Sequence, residues 1–267
     1  MDPTVSVLDD TTIERFVREG YVHLPEAFDR DTAAACVDEL WRLSGVDRDD
    51  RTTWTEPVVR VTGSAAPPLV AAINTPRLTG ALDDLLGEGR WARLIGYGTF
   101  PIRFPSTRDP GDAGWHIDGS FALPEGEPPW NYGVNVWSRQ RALLVLMLYS
   151  DVGPDDAPTR IGVGSHHHIA RVLVRYGERG ASFAEAAGAV GEPAPGTVAL
   201  ATGRAGDAYL CHPFLLHAAS WPHRGDQPRF MGQPCIFHQG SDRYRYDPPT
   251  SPCERAVVEA LGRPPVS

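Results

Sequence analysis

The stretch His116-Ile117-Asp118, followed about a hundred residues later by His217 and then Arg229, constrains the fold most strongly. In a β-strand successive side chains point to opposite faces, so His116 and Asp118 are expected on one face and Ile117 on the other. If a second strand brings His217 beside them, two imidazoles and one carboxylate occupy one face of an octahedral metal ion. This ligand set suits mononuclear Fe(II) and leaves the opposite coordination positions open.

The composition indicates one globular domain. The chain has 267 residues, of which 42% are hydrophobic and 22% charged, and no stretch resembles an interdomain linker. Its 27 glycines and 25 prolines indicate many turns, which favours a strand-rich architecture over a helical bundle. The formal net charge of −9 argues against a nucleic-acid partner, because phosphate backbones require clustered positive charge.

The cysteines and the N-terminus indicate a reducing, cytoplasmic environment. The four cysteines form no CxxC pair and are too widely spaced for a disulfide framework, so reduced thiols are expected. The first residues lack the basic and apolar regions of a signal peptide, and no run reaches the length of a transmembrane span. We therefore expect no membrane association and a cytoplasmic protein.

Helical patterns dominate the first ninety residues and return at the C-terminus. Asp10-Thr11-Thr12 predicts the start of a short amphipathic helix that stops at Gly20, and a strand is expected directly afterwards, from Tyr21 to Pro25. Further helices are predicted over 31–43 and 76–86. Ser251 and Glu254, with Pro252 between them, predict a capping box that starts a last helix.

From residue 91 onwards the pattern changes to short strands bounded by glycine, proline or aspartate. Strands are predicted over 92–100, 116–121, 143–150, 196–201, 207–217 and 230–238. Such a series is typical of a sandwich or a double-sheet jelly roll. The whole chain, 1–267, is thus read as a single domain: mainly helical support over 1–90, a jelly-roll core over 91–240, and a tail with a helix over 241–267.

An ordered set of motifs resembles the phytanoyl-CoA dioxygenase (PhyH) family of Fe(II)- and 2-oxoglutarate-dependent oxygenases. The matching features are Phe16–Val22, His116-x-Asp118, the segment from Ser150 to His166, Gly206-Asp207, His217 and Arg229. An isolated HxD motif is weak, whereas the ordered set is specific and spans most of the chain. The resemblance implies a mainly β protein with a double-stranded β-helix, a cupin-like jelly roll with N-terminal helices packed outside.

The resemblance also implies a site and a reaction. His116, Asp118 and His217 would bind Fe(II) as the catalytic centre, and Arg229 would hold the distal carboxylate of the cosubstrate 2-oxoglutarate through its planar, permanently charged fork. The 2-oxo acid end would chelate the metal and leave one position for O2. The expected activity is hydroxylation of a small organic molecule with release of succinate and CO2.

Two ligand assignments have local competitors. His212 lies five residues before His217, and on a regular strand only one of the two can face a given metal unless Pro213 disturbs the alternation. His217 is preferred because its spacing to Arg229 matches the family. Arg224 competes with Arg229, but it lies in a polar turn and is expected to be solvated.

The remaining candidate contacts to cosubstrate and substrate follow less directly from the sequence. Many relatives carry a small hydroxyl residue two positions after the distal histidine, where this chain has Ala219, so the neighbouring Ser220 is the candidate cosubstrate contact, together with Tyr97. Aromatic and amide side chains suit an apolar pocket with a few polar groups. The candidate substrate contacts are Trp130, Asn135, Trp137 and Phe121.

The run His166-His167-His168 invites a metal assignment, but Ser165 before it is a good N-cap. We therefore expect a helix with exposed imidazoles in its first turn and no ligand among them.

Three kinds of alternative to hydroxylation stay open: another outcome of the same chemistry, a protein without catalytic activity, and an enzyme that uses a different metal. The same chemistry can end in desaturation, epimerisation or cyclisation, whereas halogenation is disfavoured because Asp118 keeps the carboxylate ligand. A catalytically silent binding protein of the same fold is distinguishable by 2-oxoglutarate consumption. A cupin-like Zn or Mn enzyme is distinguishable by metal analysis and independence from 2-oxoglutarate. Neither the substrate nor the oligomeric state follows from the sequence.

Overall fold

The computed structural model describes residues 6–123 and 132–265. The helices are α1 Asp10–Glu19, α2 Arg30–Ser44, α3 Pro67–Ile73, α4 Pro76–Leu86, α5 Ser165–Leu173, α6 Phe183–Val190 and α7 Pro252–Leu261. The strands are β1 Tyr21–Leu24, β2 Val58–Ser64, β3 Tyr97–Arg103, β4 Phe121–Ala122, β5 Tyr132–Val134, β6 Arg141–Leu148, β7 Arg160–Gly162, β8 Ala181–Ser182, β9 Val198–Leu200, β10 Ala208–Cys211, β11 His217–Ala218, β12 Met231–Gly232 and β13 Cys235–Phe237.

Strand β6 is buried along its whole length and separates two apolar cores. Leu143 and Val145 belong to the larger core, which includes the apolar faces of the helices. Leu144 and Leu146 belong to a smaller core that also contains Ile161 of strand β7. Because successive side chains of a strand alternate in direction, one run of apolar residues serves both cores. This explains why the run Ala142–Leu148 carries no polar residue.

Two antiparallel sheets enclose the smaller core. The larger sheet has the order β1-β10-β6, with β12 and β13 pairing with the other edge of β6, and the smaller sheet has the order β11-β7-β9. Strand β3 pairs with β2 and also forms bridges to Gln233 and Arg229, which brings it alongside β12. The helices lie outside the sheets, with α7 in contact with α1, α4 and α5. The predicted jelly roll with flanking helices is confirmed.

The two predicted strands that carry the candidate histidine ligands are wrong in extent. Over 116–121 only Phe121 belongs to a strand, and His116 forms an isolated bridge. The strand predicted over 207–217 is interrupted after Cys211, where Pro213 has no N–H to donate and the chain turns, with the Leu215 N–H donating to His212 O over 2.9 Å. The interruption separates His212 from His217, so the strict alternation between them does not apply.

The prediction for the first ninety residues omitted strand β2 and helix α3, while the ends of the predicted helices are largely confirmed. Gly20 adopts the left-handed conformation that ends α1, with φ 85°, and its N–H donates to Phe16 O. Ser251 caps α7, but the Glu254 carboxylate accepts the backbone N–H groups of Arg245 and Thr250 instead of closing a capping box. None of the helices over 6–123 and 132–265 is long and apolar enough to cross a membrane.

The prediction of exposed imidazoles at the start of α5 is wrong for His166. Its ring is buried, and its Nε2 lies 3.0 Å from Val17 O. The His212 ring lies 5.1 Å from the His166 ring, fully buried, with its Nδ1 accepting the Phe214 N–H. Burial lowers the pKa of His166 well below its usual value and the pKa of His212 to about 3. Both rings are therefore neutral in the folded protein at pH 7.

Acid is expected to destabilise the fold through these buried histidines. The unfolded chain takes up protons near pH 6.5, whereas the folded chain does not, so stability is lost as the pH falls below about 6.5. Each such histidine lowers the free energy of unfolding by up to about 1.4 kcal/mol per pH unit. Urea unfolding between pH 7 and pH 5 measures this slope for the wild type and for His212→Gln. A His212→Gln slope equal to that of the wild type would contradict the assignment.

Candidate metal centre

Two of the predicted ligands, His116 and His217, face each other across a single antiparallel bridge. The His116 N–H donates to His217 O over 3.0 Å, and the His217 N–H donates to His116 O over 2.9 Å. Residues paired in this way lie directly opposite each other and project to the same face, and the ring centroids are 4.4 Å apart. Ile117 is fully buried. Although His116-Ile117-Asp118 is not a regular strand, His116 and Asp118 converge as the sequence predicts.

Both imidazoles are held in the tautomer that metal binding requires. The Nδ1 atom of His116 lies 2.9 Å from Gly114 O, and that of His217 lies 3.1 Å from Leu215 O. Because a carbonyl oxygen only accepts, each Nδ1 carries a proton, which leaves each Nε2 as the nitrogen available to a metal ion. Burial lowers the pKa of His217 to about 4, although the nearby Asp118 opposes this effect. The His217 ring is therefore neutral at pH 7 and can act as a ligand.

Asp118 completes the cluster. One ligand atom from each of His116, Asp118 and His217 lies within 4.8 Å of the other two, and Asp118 Oδ1 is 3.7 Å from His217 Nε2. Burial raises the pKa of Asp118, but Arg141 and the two histidines outweigh burial and lower it overall. Asp118 is thus an ionised carboxylate with one oxygen beside the imidazoles.

The other oxygen of Asp118 is held by Arg141, the first residue of β6. Arg141 Nη1 donates to Asp118 Oδ2 over 2.8 Å, and its Nη2 donates to Gly119 O over 3.2 Å and contacts Cys235 Sγ at 3.3 Å. A buried guanidinium in this position orients the carboxylate and balances its charge. Sequence reasoning missed Arg141, although a charged residue directly before a buried apolar run already indicates a buried partner.

Removal of the Arg141 side chain is expected to weaken metal binding. Partners that orient a ligand typically contribute 10–100-fold in metal affinity, so Arg141→Met should lower the Fe(II) affinity by roughly that factor. Anaerobic titration with Fe(II) measures the change. Arg139→Gln is the matched control, because Arg139 is exposed and lies over the Phe121 ring. Unchanged affinity in Arg141→Met would show that Asp118 is oriented without this arginine.

A cavity of about 230 Å³ opens beside the two histidines, and Arg229 also lines it. Arg229 is 2% exposed, its Nη1 donates to Ala157 O, and its Nε has no hydrogen-bond partner within 6–123 and 132–265. Burial and the neighbouring Arg103 lower the pKa of Arg229 to about 9, so it remains charged at pH 7. A buried cation without a carboxylate on its fork is suited to bind an anionic ligand.

The competing residues lie elsewhere. His212 is part of the apolar packing under α7, where its Nε2 is 3.2 Å from Cys253 O. Arg224 is exposed in its turn, as expected. The structure therefore brings His217 and Arg229 to one cavity with His116 and leaves their competitors outside it.

The predicted cosubstrate contacts beyond Arg229 are Ser220 and Tyr97. Ser220 does not line the cavity, because its hydroxyl donates to Pro158 O over 2.5 Å, and Ala219 lines it instead. Tyr97 begins β3, but its side chain lies outside the described part of the structure. The lining residues that the sequence prediction did not name include Thr159 and Arg103.

The predicted substrate contacts also lie away from this cavity. Asn135 is fully buried, where its amide donates to Glu178 O and accepts the Arg139 N–H. Trp137 is buried beneath the Arg243 guanidinium, and Phe121 is buried too. Internal packing and hydrogen bonds engage these three side chains. The sequence does not reveal such contacts, because they depend on how distant segments pack. Trp130 lies outside the described residues.

The donor set fits a divalent metal ion. His217 Nε2 is buried and has no hydrogen-bond partner among the residues that the structure describes, which is costly unless a ligand occupies the position. Two imidazole nitrogens and one carboxylate oxygen are the ligand set of non-heme Fe(II) sites with a facial triad. No cysteine belongs to the cluster, which disfavours metals that prefer sulfur ligands.

Comparison with known proteins agrees with this arrangement. Residues 16–231 match the family described as phytanoyl-CoA dioxygenase (PhyH). That span includes all three residues of the cluster and Arg229. A search of curated proteins found no match.

Solved structures with the same fold include SnoK, HygX and SnoN. The carbocyclase SnoK, a non-heme α-ketoglutarate-dependent enzyme from nogalamycin biosynthesis, is 17% identical with a TM-score of 0.57, and the match covers 86% of this chain and 84% of SnoK. HygX from Streptomyces hygroscopicus, with nickel and 2-oxoglutarate bound, is 18% identical with a TM-score of 0.55, covering 89% and 90%. The epimerase SnoN is 18% identical with a TM-score of 0.52, covering 86% and 82%. These similarities establish the shared fold.

Proposed function

The chain belongs to the phytanoyl-CoA dioxygenase family, and from this premise we propose that it is an Fe(II)- and 2-oxoglutarate-dependent oxygenase acting on a small organic molecule. One observation carries the proposal. The bridged pair of His116 and His217, with Asp118 beside it, opens into the same cavity as the buried Arg229. A metal-binding face and a carboxylate-binding cation are the two things that such a reaction requires of the protein.

The triad would hold Fe(II) through two neutral imidazole nitrogens and one carboxylate oxygen. Carbonyl groups fix both rings, and Arg141 fixes the carboxylate, so the protein supplies three ligands with little reorganisation. When bound, Fe(II), 2-oxoglutarate and O2 together supply the oxidising power to attack a C–H bond, with release of succinate and CO2. The remaining contribution of the chain is orientation and exclusion of side reactions.

Arg229 would bind the distal carboxylate of 2-oxoglutarate. A guanidinium presents two parallel N–H groups to a carboxylate, and a charge-assisted hydrogen bond gains strength where water is excluded. The 2% exposure of Arg229 provides that exclusion. The same contact fixes the register of the cosubstrate, because its other end must reach the histidines.

Hydroxylation is the leading outcome, and cyclisation, epimerisation and desaturation are the alternatives. SnoK is a carbocyclase and SnoN an epimerase, so this fold supports more than one outcome after attack on a C–H bond. We disfavour halogenation because Asp118 retains the carboxylate ligand.

The four cysteines are free thiols, which suits the reducing cytoplasm where Fe(II) persists.

Anaerobic reconstitution tests the proposal. Addition of Fe(II) and 2-oxoglutarate should produce a metal-to-ligand absorption band, and admission of O2 should yield succinate. A screen of small organic molecules for perturbation of that band then narrows the substrate class. Absence of the band in the wild type, or turnover that is independent of 2-oxoglutarate with Zn or Mn, would contradict the proposal.

A further inference from the structure

The cavity beside the triad contains more positive charge than one cosubstrate clamp requires. Its lining includes three arginines, Arg60, Arg103 and Arg229, and a single carboxylate, Asp112. Asp112 Oδ2 accepts from both Arg60 and Arg103, the latter over 2.6 Å. One carboxylate is thus shared by two guanidiniums, whereas the Arg229 guanidinium donates, among the described residues, only to the Ala157 carbonyl. The described lining therefore carries a net positive charge.

Arg103 and Arg229 form a pair by position. The Arg103 N–H donates to Arg229 O over 3.0 Å, and the Arg229 N–H donates to Arg103 O over 2.8 Å. Residues exchanging both bonds in an antiparallel bridge lie about 5.5 Å apart at Cα and project to the same face. Both side chains line the cavity, and both residues are nearly fully buried, at 3% and 2% exposure.

Each member of the pair retains unused donors. The Nε atoms of Arg103 and Arg229 are buried and have no hydrogen-bond partner in the described residues. A guanidinium has five N–H donors, and Asp112 engages only one nitrogen of Arg103. Two neighbouring buried cations repel each other, and the effect of Arg103 on the Arg229 pKa reports this repulsion. An anion bound between them would relieve it.

We propose that Arg103 is a second arm of the cosubstrate clamp and binds the distal carboxylate of 2-oxoglutarate together with Arg229. The inference rests on the proposed function and adds a binding residue to it. Arg103 would also supply the help that a hydroxyl two positions after His217 would give, because Ala219 lines the cavity there and the Ser220 hydroxyl, outside the lining, donates to Pro158 O. The alternative is that Arg103 has only a structural role and holds Asp112 and the neighbouring segment in place.

Two keto acids separate the alternatives. 2-Oxopentanoate has the chelating end and the chain length of 2-oxoglutarate but a methyl group in place of the distal carboxylate. Anaerobic titration of the Fe(II) protein, following the chelate band, gives the affinity for each acid. Arg103→Gln should lose about tenfold or more in affinity for 2-oxoglutarate, because a charge-assisted hydrogen bond is removed, and keep its affinity for 2-oxopentanoate.

Arg60→Gln is the matched control, because Arg60 also pairs with Asp112 but its side chain is 47% exposed and its charge is screened by water. It should change 2-oxoglutarate affinity less than about threefold. If Arg103→Gln does not fold, Arg103→Lys replaces it, with a smaller loss that is again specific to 2-oxoglutarate. Unchanged affinity, or equal losses for both acids, would overturn the inference. A wild type without a chelate band would instead refute the proposed function.

Discussion

His217→Ala is expected to abolish turnover and to lower Fe(II) affinity by more than about 100-fold. Mutation of residues that only orient a ligand already costs 10–100-fold, and His217 supplies a ligand atom itself. The substitution removes one of three protein donors and leaves the others on an incomplete face. Anaerobic Fe(II) titration measures the affinity, and succinate formation measures turnover.

His212→Ala is the matched control for this experiment. It removes a fully buried imidazole that packs under the C-terminal helix and not at the cluster. It should therefore lower the free energy of unfolding while Fe(II) affinity stays near the wild-type value. Loss of iron binding in His212→Ala with retention in His217→Ala would show that the ligand assignment is reversed.

Asp118→Ala is a less direct test, because of Arg141. Removal of the carboxylate leaves the nearly buried Arg141 guanidinium without its ion-pair partner, and an uncompensated charge of this kind destabilises the fold. A loss of activity could then reflect unfolding. The double variant Asp118→Ala with Arg141→Met removes both charges and separates metal loss from destabilisation.

Arg229→Ala is expected to weaken 2-oxoglutarate binding the most after loss of the metal itself. The substitution leaves the distal carboxylate facing a largely water-free cavity with less positive charge. Charge-assisted hydrogen bonds contribute roughly 1.5–3 kcal/mol each, so loss of both arms of the fork corresponds to about 100-fold or more in affinity. Arg229→Lys keeps a charge but not the fork, and should lose about tenfold.

The chelate band under anaerobic Fe(II) measures these affinities, and Fe(II) binding itself should survive. Arg224→Lys is the control, since Arg224 is exposed in a turn. A large loss in Arg224→Lys with no change in Arg229→Lys would move the clamp to the turn.

Local patterns predicted the fold and the convergence of the triad, because both follow from the direction of side chains along extended backbone. The two-residue spacing of His116 and Asp118 works even without a regular strand, since only the extended conformation is needed. The strand predicted over 143–150 corresponds to β6, Arg141–Leu148, although its complete burial was not predicted. Such features are encoded by neighbours in the chain.

The contacts that the sequence prediction missed come from residues far apart in the chain. Arg141 meets Asp118, and Arg103 meets Arg229, through strand pairings whose register the sequence alone does not reveal. A helix starts at the histidine run as predicted, but its N-cap is Gly164 and not Ser165, and the sequence did not reveal the burial of His166. Its ring reaches Val17 O on the first helix, a tertiary contact that overrides the usual exposure of a polar first turn.

The bridge between His116 and His217 joins segments about a hundred residues apart, so an ion bound by both acts as a reversible crosslink of the jelly roll. A crosslink over so long a loop restricts the unfolded chain, and any ligand that binds only the folded state stabilises it by mass action. At an Fe(II) concentration 100 times the dissociation constant, this amounts to about 2.7 kcal/mol. A chelator should therefore lower the melting temperature as well as stop the reaction. The supply of iron would then affect the lifetime of the folded protein.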